Sequence, residues 1–152
     1  MMKKLLTLGI ILKDNKVLLG LKKRGFGKGF WNGFGGKVKN GENVEECLVR
    51  EFKEEVGILP LDFEKVGILT FKFENNPQLL EVHVFKISNF KGDPKETEEM
   101  KPKWFKIDEI PFDQMWPDDK LWWPLFLANK KFKAFFHFKD EKNLLNYEVK
   151  EI

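Results

Sequence analysis

Three glutamates, Glu51, Glu54 and Glu55, have the spacing that brings carboxylates together on one face of a helix. Residues at i, i+3 and i+4 have Cβ atoms about 5–6 Å apart, and two carboxylates at that separation repel by about 3 kcal/mol at an effective dielectric of about 20. In water the repulsion falls below about 1 kcal/mol, so a solvated acidic surface would tolerate it. The alternative is a site for a hard divalent cation, Mg²⁺ before Zn²⁺, because no cluster of Cys or His accompanies the carboxylates.

A helix with clear end signals must carry these carboxylates. Asn43 followed three residues later by Glu46 is a capping box, and Gly57 is a typical helix stop. Between them, apolar residues repeat at helical spacing: Val44, Cys47, Leu48, Phe52 and Val56. In front of the helix, residues 34–36 form a Phe-Gly-Gly loop, whose backbone can approach a ligand closely.

The stretch from Gly36 to Ile58 fits a longer pattern, G-x5-E-x7-R-E-U-x-E-E-x-G-U, at every fixed position, with U aliphatic or aromatic. This pattern resembles the Nudix box. The resemblance implies hydrolysis of a nucleoside diphosphate linked to another group, with Mg²⁺ as cofactor and Mn²⁺ as a substitute. It also implies four metal ligands, namely the carboxylates of Glu51, Glu54 and Glu55 and the carbonyl of Gly36. For Glu42 and Arg50 we prefer a structural ion pair that braces the loop against the helix.

The composition favours one soluble domain over residues 1–152. This length is enough to bury a core of its own, and no internal repeat or linker divides it. The single cysteine, Cys47, excludes a disulfide framework and favours a reducing compartment. We find neither a signal-peptide pattern nor a long apolar run, so we expect a cytoplasmic monomer without membrane contact. A net charge of +3 suits an anionic substrate but does not indicate a nucleic acid partner.

Strands and a second helix complete the predicted fold. Strand-like runs cover Leu5–Leu12, Lys16–Leu21, Val66–Glu74, Leu79–Phe90 and Trp104–Ile107, and the last residues form a hairpin of 132–138 with 144–152. Segments 22–36 and 91–103 are predicted loops, and apolar spacing predicts a helix over Lys120–Lys131. The resemblance implies the α/β Nudix sandwich, in which a mixed central sheet carries the box helix on one side and the second helix on the other.

The glycine-rich loop before the box contains candidates for contacts to phosphate. Lys22 is the first of them, and Lys23 and Arg24 are less strongly indicated, because the loop delivers positive charge beside the proposed metal site. A solvated connecting loop is the alternative. The resemblance places Lys22, Phe26 and Asn32 along a nucleotide pocket.

Two other residues have more than one interpretation. His83 would serve as a catalytic base, but its place in an alternating strand favours a structural histidine with a hydrogen bond. The acidic run within 91–103 is typical of a solvated loop. The resemblance points to its last member, Glu99, as a further metal ligand outside the helix, and to Met100 as a contact to the base.

Asp118 and Asp119 precede the predicted second helix. A helix cap is one interpretation of such a pair. The other is that two neighbouring carboxylates facing a closed aromatic pocket raise one pKa, which leaves a neutral donor beside a charged acceptor. With the amide of Asn32, this pair would read the edge of a purine.

A closer resemblance extends from about Thr7 to the C-terminus. It is carried by KKRGFG from Lys22, WNGFGGKV from Trp31, VHVF from Val82, EM from Glu99 and MWPDD from Met115. These segments resemble the animal oxidised purine nucleoside triphosphatases, the MutT homologues. They imply hydrolysis of 8-oxo-dGTP, 2-oxo-dATP and related modified purines to the monophosphate and pyrophosphate. By position the base contacts are Thr7, Asn32, Trp116, Asp118 and Asp119, and the pocket walls are Phe26, Phe71, Phe73, Leu80, Met100 and Trp122.

Leu80 stands where this family leads us to expect a methionine, and a less pliable side chain would alter selectivity among bases. For the reaction we expect attack of water on phosphorus, with Glu51 among the catalytic residues and either Glu54 or Glu55 as the base. Two alternatives stay open. One is another Nudix substrate, such as capped RNA, a dinucleoside polyphosphate or ADP-ribose, and the other is a catalytically silent nucleotide-binding module.

Overall fold

A computed structural model describes residues 2–152 of the chain. In this range there are eight strands, two α-helices and two short 3-10 helices. The strands are β1 (Lys3–Lys13), β2 (Lys16–Lys22), β3 (Trp31–Asn32), β4 (Leu59–Phe73), β5 (Leu79–Lys91), β6 (Met100–Lys106), β7 (Phe132–Asp140) and β8 (Asn143–Glu151). The helices are α1 (Val44–Val56) and α2 (Asp119–Leu127), and the 3-10 turns are Ile107–Glu109 and Phe112–Gln114.

The strands form one mixed sheet in the order β3-β2-β1-β5-β4-β7-β8, and β6 pairs with β2 beside this path. β1 runs parallel to β5 and β4 runs parallel to β7, whereas the other pairs are antiparallel. The predicted mixed central sheet is therefore confirmed. Neither α-helix within residues 2–152 combines the length and the apolar character needed to cross a membrane.

The two helices cover opposite faces of the sheet. Alternate residues of β2 show the division, because Val17 and Leu19 belong to one apolar cluster and Leu18 to the other. The first cluster contains Trp122, Trp123 and Phe126 of α2, and the second contains Leu48, Phe52 and Val56 of α1. This arrangement confirms the predicted sandwich.

Local signals define α1 as the sequence predicts. The side chain of Asn43 accepts a hydrogen bond from the Glu46 N–H, and the Glu46 side chain accepts one from the Asn43 N–H, at 2.8 and 3.0 Å. Gly57 ends the helix with a φ of 73°, a left-handed conformation that glycine adopts without steric cost. The helix thus presents its glutamates at fixed positions in front of the 34–36 loop.

Tertiary pairing shifts several of the predicted boundaries. β4 begins at Leu59 instead of Val66, with register shifts in its first half. β6 begins at Met100, inside the predicted 91–103 loop, because it pairs with the end of β2, and β3 likewise lies inside the predicted 22–36 loop. α2 ends at Leu127, four residues earlier than predicted, and Asn129 then has a φ of 59°. The final hairpin is confirmed.

Candidate active site

Arg50 binds the carboxylates that surround it on and before α1. Its guanidinium contacts both oxygens of Glu42, at 2.7 and 2.9 Å, and Glu51 and Glu54 at 2.8 and 3.3 Å. It also donates to the Lys37 carbonyl at 3.0 Å, so the predicted brace between loop and helix is confirmed. Hydrogen bonding to Arg50 lowers the pKa of Glu42 to about 2. We call Glu42, Glu51, Glu54 and Glu55 the carboxylate cluster.

The carboxylate of Glu51 lies against the backbone of Gly36. A Cβ atom at Gly36 would stand 2.6–2.8 Å from the Glu51 carboxylate atoms, so this approach requires glycine. The Gly36 carbonyl accepts the Thr7 N–H at 2.9 Å, and its second acceptor position faces only the Cys47 thiol, a weak donor, at 3.6 Å. Burial raises the pKa of Glu51, and the hydrogen bond and charge of Arg50 oppose that shift.

Glu55 is the deeply buried member of the carboxylate cluster. Its side chain accepts the Gly35 N–H at 2.8 Å. Burial raises the pKa of Glu55 to about 8, and the Gly35 hydrogen bond opposes this shift. Glu54, one residue earlier, is exposed, so the two candidate bases have different environments.

Glu99 lies immediately before β6, outside the helix. Arg24 donates to its carboxylate through Nε at 2.9 Å and lowers the pKa of Glu99 by that hydrogen bond. The charge of Glu99 contributes, as the smallest of the named causes, to the raised pKa of Glu55. In the structure this predicted metal ligand is held in an ion pair with Arg24, and its role as a ligand stays a prediction.

Oxygen donors dominate this region, although no three His, Cys, Asp or Glu side chains within residues 2–152 are close enough together to hold a metal ion jointly. Arg50 contacts Glu51 and Glu54, and the Gly35 N–H contacts Glu55. Carboxylates and a backbone carbonyl are nevertheless the donors that a hard divalent cation prefers. The glycine at 36 lets the Glu51 carboxylate approach the backbone of that residue, so the donor types fit a hard divalent cation.

A cavity of about 200 Å³, which we call the aromatic cavity, opens beside the carboxylate cluster. All twelve residues predicted to contact substrate line it: Thr7, Lys22, Phe26, Asn32, Phe71, Phe73, Leu80, Met100, Trp116, Asp118, Asp119 and Trp122. Gly36 and Glu55 line it as well, whereas the lining does not include Glu51, Glu54 or Glu99. One cavity therefore connects the aspartate pair with one end of the carboxylate cluster.

Asp118 and Asp119 are almost fully buried, with 1% and 3% of their surface exposed. Oδ2 of Asp118 accepts the Trp122 Nε1–H at 2.9 Å. Oδ1 of Asp118 and Oδ2 of Asp119 have no hydrogen-bond partner among residues 2–152. Buried carboxyl oxygens without partners are rare in proteins, so these two atoms point to a ligand that supplies the missing bonds.

Burial raises the pKa of Asp118 to about 6 and the pKa of Asp119 well above its usual range. The charge of Asp118 is the second cause of the shift at Asp119. The predicted raised pKa is thus found, but loss of hydration contributes more than the mutual repulsion that we expected. The helix-cap interpretation is wrong, because the Asp118 side chain makes no capping hydrogen bond at the start of α2.

Aromatic rings form part of the wall of the same cavity. The ring of Phe26 lies 4.9 Å from that of Trp116 and 5.5 Å from that of Phe73, between centroids. Phe71 stacks on Phe73 at 6.4 Å along the same face of β4. Such surfaces offer planar contact to a flat heterocycle.

Hydrogen bonds orient two of the predicted base contacts. Oδ1 of Asn32 accepts the Gly33 N–H at 2.8 Å, so the amide nitrogen of Asn32 is left to donate. The hydroxyl of Thr7 lies 3.4 Å from Sγ of Cys47, which is fully buried and also contacts the Gly36 carbonyl at 3.6 Å. Burial raises the pKa of the Cys47 thiol.

Lys22, Lys23 and Arg24, the candidate phosphate contacts, have different surroundings in the structure. Lys22, at the end of β2, lines the aromatic cavity. Lys23 instead pairs with Glu96 at 2.7 Å, and Arg24 pairs with Glu99. The preference for Lys22 agrees with this arrangement.

His83 has the structural role that the strand pattern favours. Its Nε2 lies 2.9 Å from Glu81 and its Nδ1 lies 3.4 Å from Lys65. It is not among the lining residues of the aromatic cavity.

Further lining residues were not predicted: Leu6, Leu8, Gly27, Phe30, Gly33, Gly35, Leu69 and Val82. Two of them carry a signal in the sequence. Leu69 lies two residues before Phe71 in β4, and Val82 lies two residues after Leu80 in β5, so strand alternation places each on the face of a predicted residue.

Comparisons with known proteins agree with this geometry. Residues 3–126 match the NUDIX domain. The chain is 48% identical over 149 residues to the oxidized purine nucleoside triphosphate hydrolase of Mus musculus and 46% identical over 149 residues to that of Danio rerio. Each match covers 98% of this chain and 96% of the relative. In structure it resembles the mMutator MutT protein of Bacillus halodurans, with a TM-score of 0.86, 29% identity and coverage of 96% and 97% of the two chains.

The domain match spans the whole of the box, the carboxylate cluster and the aspartate pair. The structural match likewise extends over nearly the whole sheet and both helices, because it covers 96% of this chain. The chain therefore belongs to the Nudix family.

Proposed function

We propose that this protein hydrolyses oxidised purine nucleoside triphosphates, including 8-oxo-dGTP and 2-oxo-dATP, to the monophosphate and pyrophosphate. One observation carries the proposal. The buried aspartate pair has unpartnered oxygens in a cavity that reaches Glu55 and Gly36. The substrate class named for the mouse and zebrafish relatives supports it.

The aspartate pair and Asn32 supply both donors and acceptors to the edge of a purine. Burial raises the pKa of Asp119 well above its usual range and so favours the protonated form, which donates a hydrogen bond. Asp118, with a pKa of about 6, is mainly charged near neutral pH and accepts. Because oxidation changes the donor and acceptor pattern of a purine, a pair with mixed protonation suits such bases.

Aromatic rings hold the faces of the base. Phe26 and Trp116 pack against each other at the wall of the cavity and offer stacking surfaces. Thr7, Leu80, Met100 and Trp122 would close the remaining sides. This enclosure orients the nucleoside so that its phosphates extend towards Glu55.

At the phosphate end, Lys22 would bind the anionic chain, and Glu51, Glu54, Glu55, Glu99 and the Gly36 carbonyl would hold the metal. Mg²⁺, or Mn²⁺ in its place, supplies neutralisation of the charge on the phosphate oxygens and on the leaving pyrophosphate. Glu54 and Glu55 are the candidates for accepting the proton of the attacking water. Glu55 lines the cavity and so lies near the substrate, whereas Glu54 is exposed and so has access to water. A general base requires both properties, and each glutamate has one of them.

The proposal includes a monomer that acts in the cytoplasm on a small nucleotide, without a nucleic acid or membrane partner. The single cysteine, which is buried, agrees with a reducing compartment. Light scattering of the purified protein should give the mass of one chain, and a larger mass would contradict the monomer.

A panel of triphosphates tests the substrate. We expect Mg²⁺-dependent release of pyrophosphate, with kcat/KM for 8-oxo-dGTP or 2-oxo-dATP at least about tenfold above that for dGTP and dATP. Equal efficiency on oxidised and normal purines would contradict the proposal. Capped RNA, dinucleoside polyphosphates and ADP-ribose belong in the same panel, because faster turnover of one of these would identify another Nudix substrate. No release from any triphosphate would favour a silent nucleotide-binding module.

A further inference from the structure

Residues 23–30, which we call the Phe26 loop, place an exposed ring on the aromatic cavity. Phe26 keeps 57% of its surface exposed even though it contacts Trp116 and Phe73. The loop folds through glycines, and Gly25, Gly27 and Gly29 have φ values of 81°, 84° and 89°. Three glycines in left-handed conformations give the loop little intrinsic stiffness.

Contacts to distant parts of the chain hold the Phe26 loop at two places. At its start, Lys23 and Arg24 form ion pairs with Glu96 and Glu99. At its tip, the Gly27 N–H donates to Oε1 of Glu141 at 2.6 Å. Glu141 lies in the turn between β7 and β8, 114 residues away along the chain.

The bond at the tip matters because Gly27 is buried. A buried backbone N–H without a partner is costly, and a carboxylate is a strong acceptor for it. A Cβ atom at Gly27 would stand 3.3 Å from the Trp116 ring, so the backbone packs tightly against that wall. Glu141 therefore satisfies the donor at the point where the loop meets the cavity.

Phe26 is one of four residues shared by the aromatic cavity and a second cavity. Leu6, Phe26, Phe73 and Leu80 line both, and the second is further lined by Asn75, Asp140 and Glu141. Displacement of the loop tip would withdraw the Phe26 ring from the wall that the two cavities share. The position of the Gly27 backbone thus determines how well the cavity is closed.

We propose that Glu141 is a positioning residue for substrate binding, because its carboxylate fixes the Gly27 N–H and thereby holds Phe26 as a wall of the aromatic cavity. The inference rests on the proposed function, since the bound group is the purine base. Glu141 does not line the aromatic cavity, so it acts through the loop. Its loss should weaken binding and leave the chemical step unchanged.

Steady-state kinetics on 8-oxo-dGTP test this role with three variants. For Glu141→Ala we expect KM to rise by about five- to tenfold, with kcat within about twofold of the parent. Glu141→Gln keeps the acceptor and should restore KM to within about twofold of the parent. Glu148→Ala is the matched control, because Glu148 lies on the same hairpin, is exposed and pairs with Lys150.

Hydrogen exchange supplies a readout that does not depend on turnover. Glu141→Ala should speed amide exchange in residues 23–30, whereas Glu148→Ala and Glu141→Gln should not. The inference is overturned if Glu141→Ala leaves both KM and this exchange unchanged, or if Glu141→Gln is as impaired as Glu141→Ala. If the parent protein fails to turn over 8-oxo-dGTP, the proposed function fails, and unchanged exchange in Glu141→Ala would then refute the positioning contact separately.

Discussion

At one end of the site, Arg50 binds Glu42, Glu51 and Glu54, so these partly exposed carboxylates have a partner within the chain. At the other end, Asp118 and Asp119 are buried and keep two oxygens without a partner among residues 2–152. A guanidinium favours the charged form of a carboxylate beside it, and such a carboxylate suits exchange for another cation. Burial favours the protonated form of a carboxyl, so the aspartate pair suits hydrogen bonding to a neutral base.

The largest effect on activity is expected for glutamates of the carboxylate cluster. Glu55→Gln and Glu54→Gln should each lower kcat by about 10²- to 10⁴-fold, because each removes a metal ligand or the base. Pyrophosphate release measures this loss, and nucleotide binding should persist. Glu45→Gln, an exposed glutamate in the first turn of α1, is the control. Full activity in both variants would refute the assignment of the carboxylate cluster.

Asp119→Ala tests whether the aspartate pair binds the purine base. Removal of the neutral donor should lower kcat/KM for an oxidised purine triphosphate by about 10- to 100-fold, mainly through KM, because the base then lacks a partner. The exposed Asp113, changed to Ala, should have no such effect. A fall in kcat at constant KM would instead place Asp119 in the chemistry and remove the contrast between the two ends.

The contrast also predicts how stability changes with pH. The pKa of Asp118 is about 6 in the folded protein, and 3.8 is its ordinary value. Below about pH 4 the carboxyl is protonated in both states, so its ionisation does not change the free energy of unfolding. As pH rises from about 4 through 6 the unfolded state loses the proton first, so the free energy of unfolding falls. Asp118→Asn removes this ionisation. From pH 4 to pH 8 its free energy of unfolding should therefore gain about 2 kcal/mol relative to the parent.

Urea unfolding at the two pH values measures this change. Asp113→Asn should follow the parent at both, because that side chain is exposed. A difference for Asp118→Asn that stays constant with pH would show that the carboxyl does not titrate in this range.

The smallest effect is expected for Arg50→Lys. This change removes hydrogen bonds to the carboxylate cluster, so its oxygens would lack partners as those of the aspartate pair do. Lysine keeps the charge but loses the fork that binds both oxygens of Glu42, so the free energy of unfolding should fall by about 1 kcal/mol. Arg24→Lys is the control, because its ion pairs are exposed and should matter little. Equal losses in both variants would mean that the two-oxygen contact from Arg50 to Glu42 adds nothing to stability.

The sequence predicts best what neighbouring residues determine. The capping box and Gly57 define α1 almost to the residue, because their hydrogen bonds join positions three to five apart. β6 was predicted too short because Pro102 and several lysines obscure it, and its pairing with β2 crosses about 80 residues of chain. Such pairing leaves little trace in local composition.

For the site, residue types and spacing identified the carboxylates, and the resemblance identified the cavity residues. Neither indicates which partner each side chain takes. Arg24 was a candidate for phosphate and instead pairs with Glu99, and the bond from Gly27 to Glu141 joins two loops without a shared motif. These contacts depend on where the sheet brings distant loops together.

The burial of Cys47 has a consequence for the conditions in which the protein can work. A thiol is oxidised mainly as the thiolate, and a raised pKa together with complete burial keeps this cysteine protonated and out of reach of peroxide. It is the only cysteine of the chain. A hydrolase of oxidised nucleotides would therefore resist, at its own thiol, the same oxidants that generate its substrates.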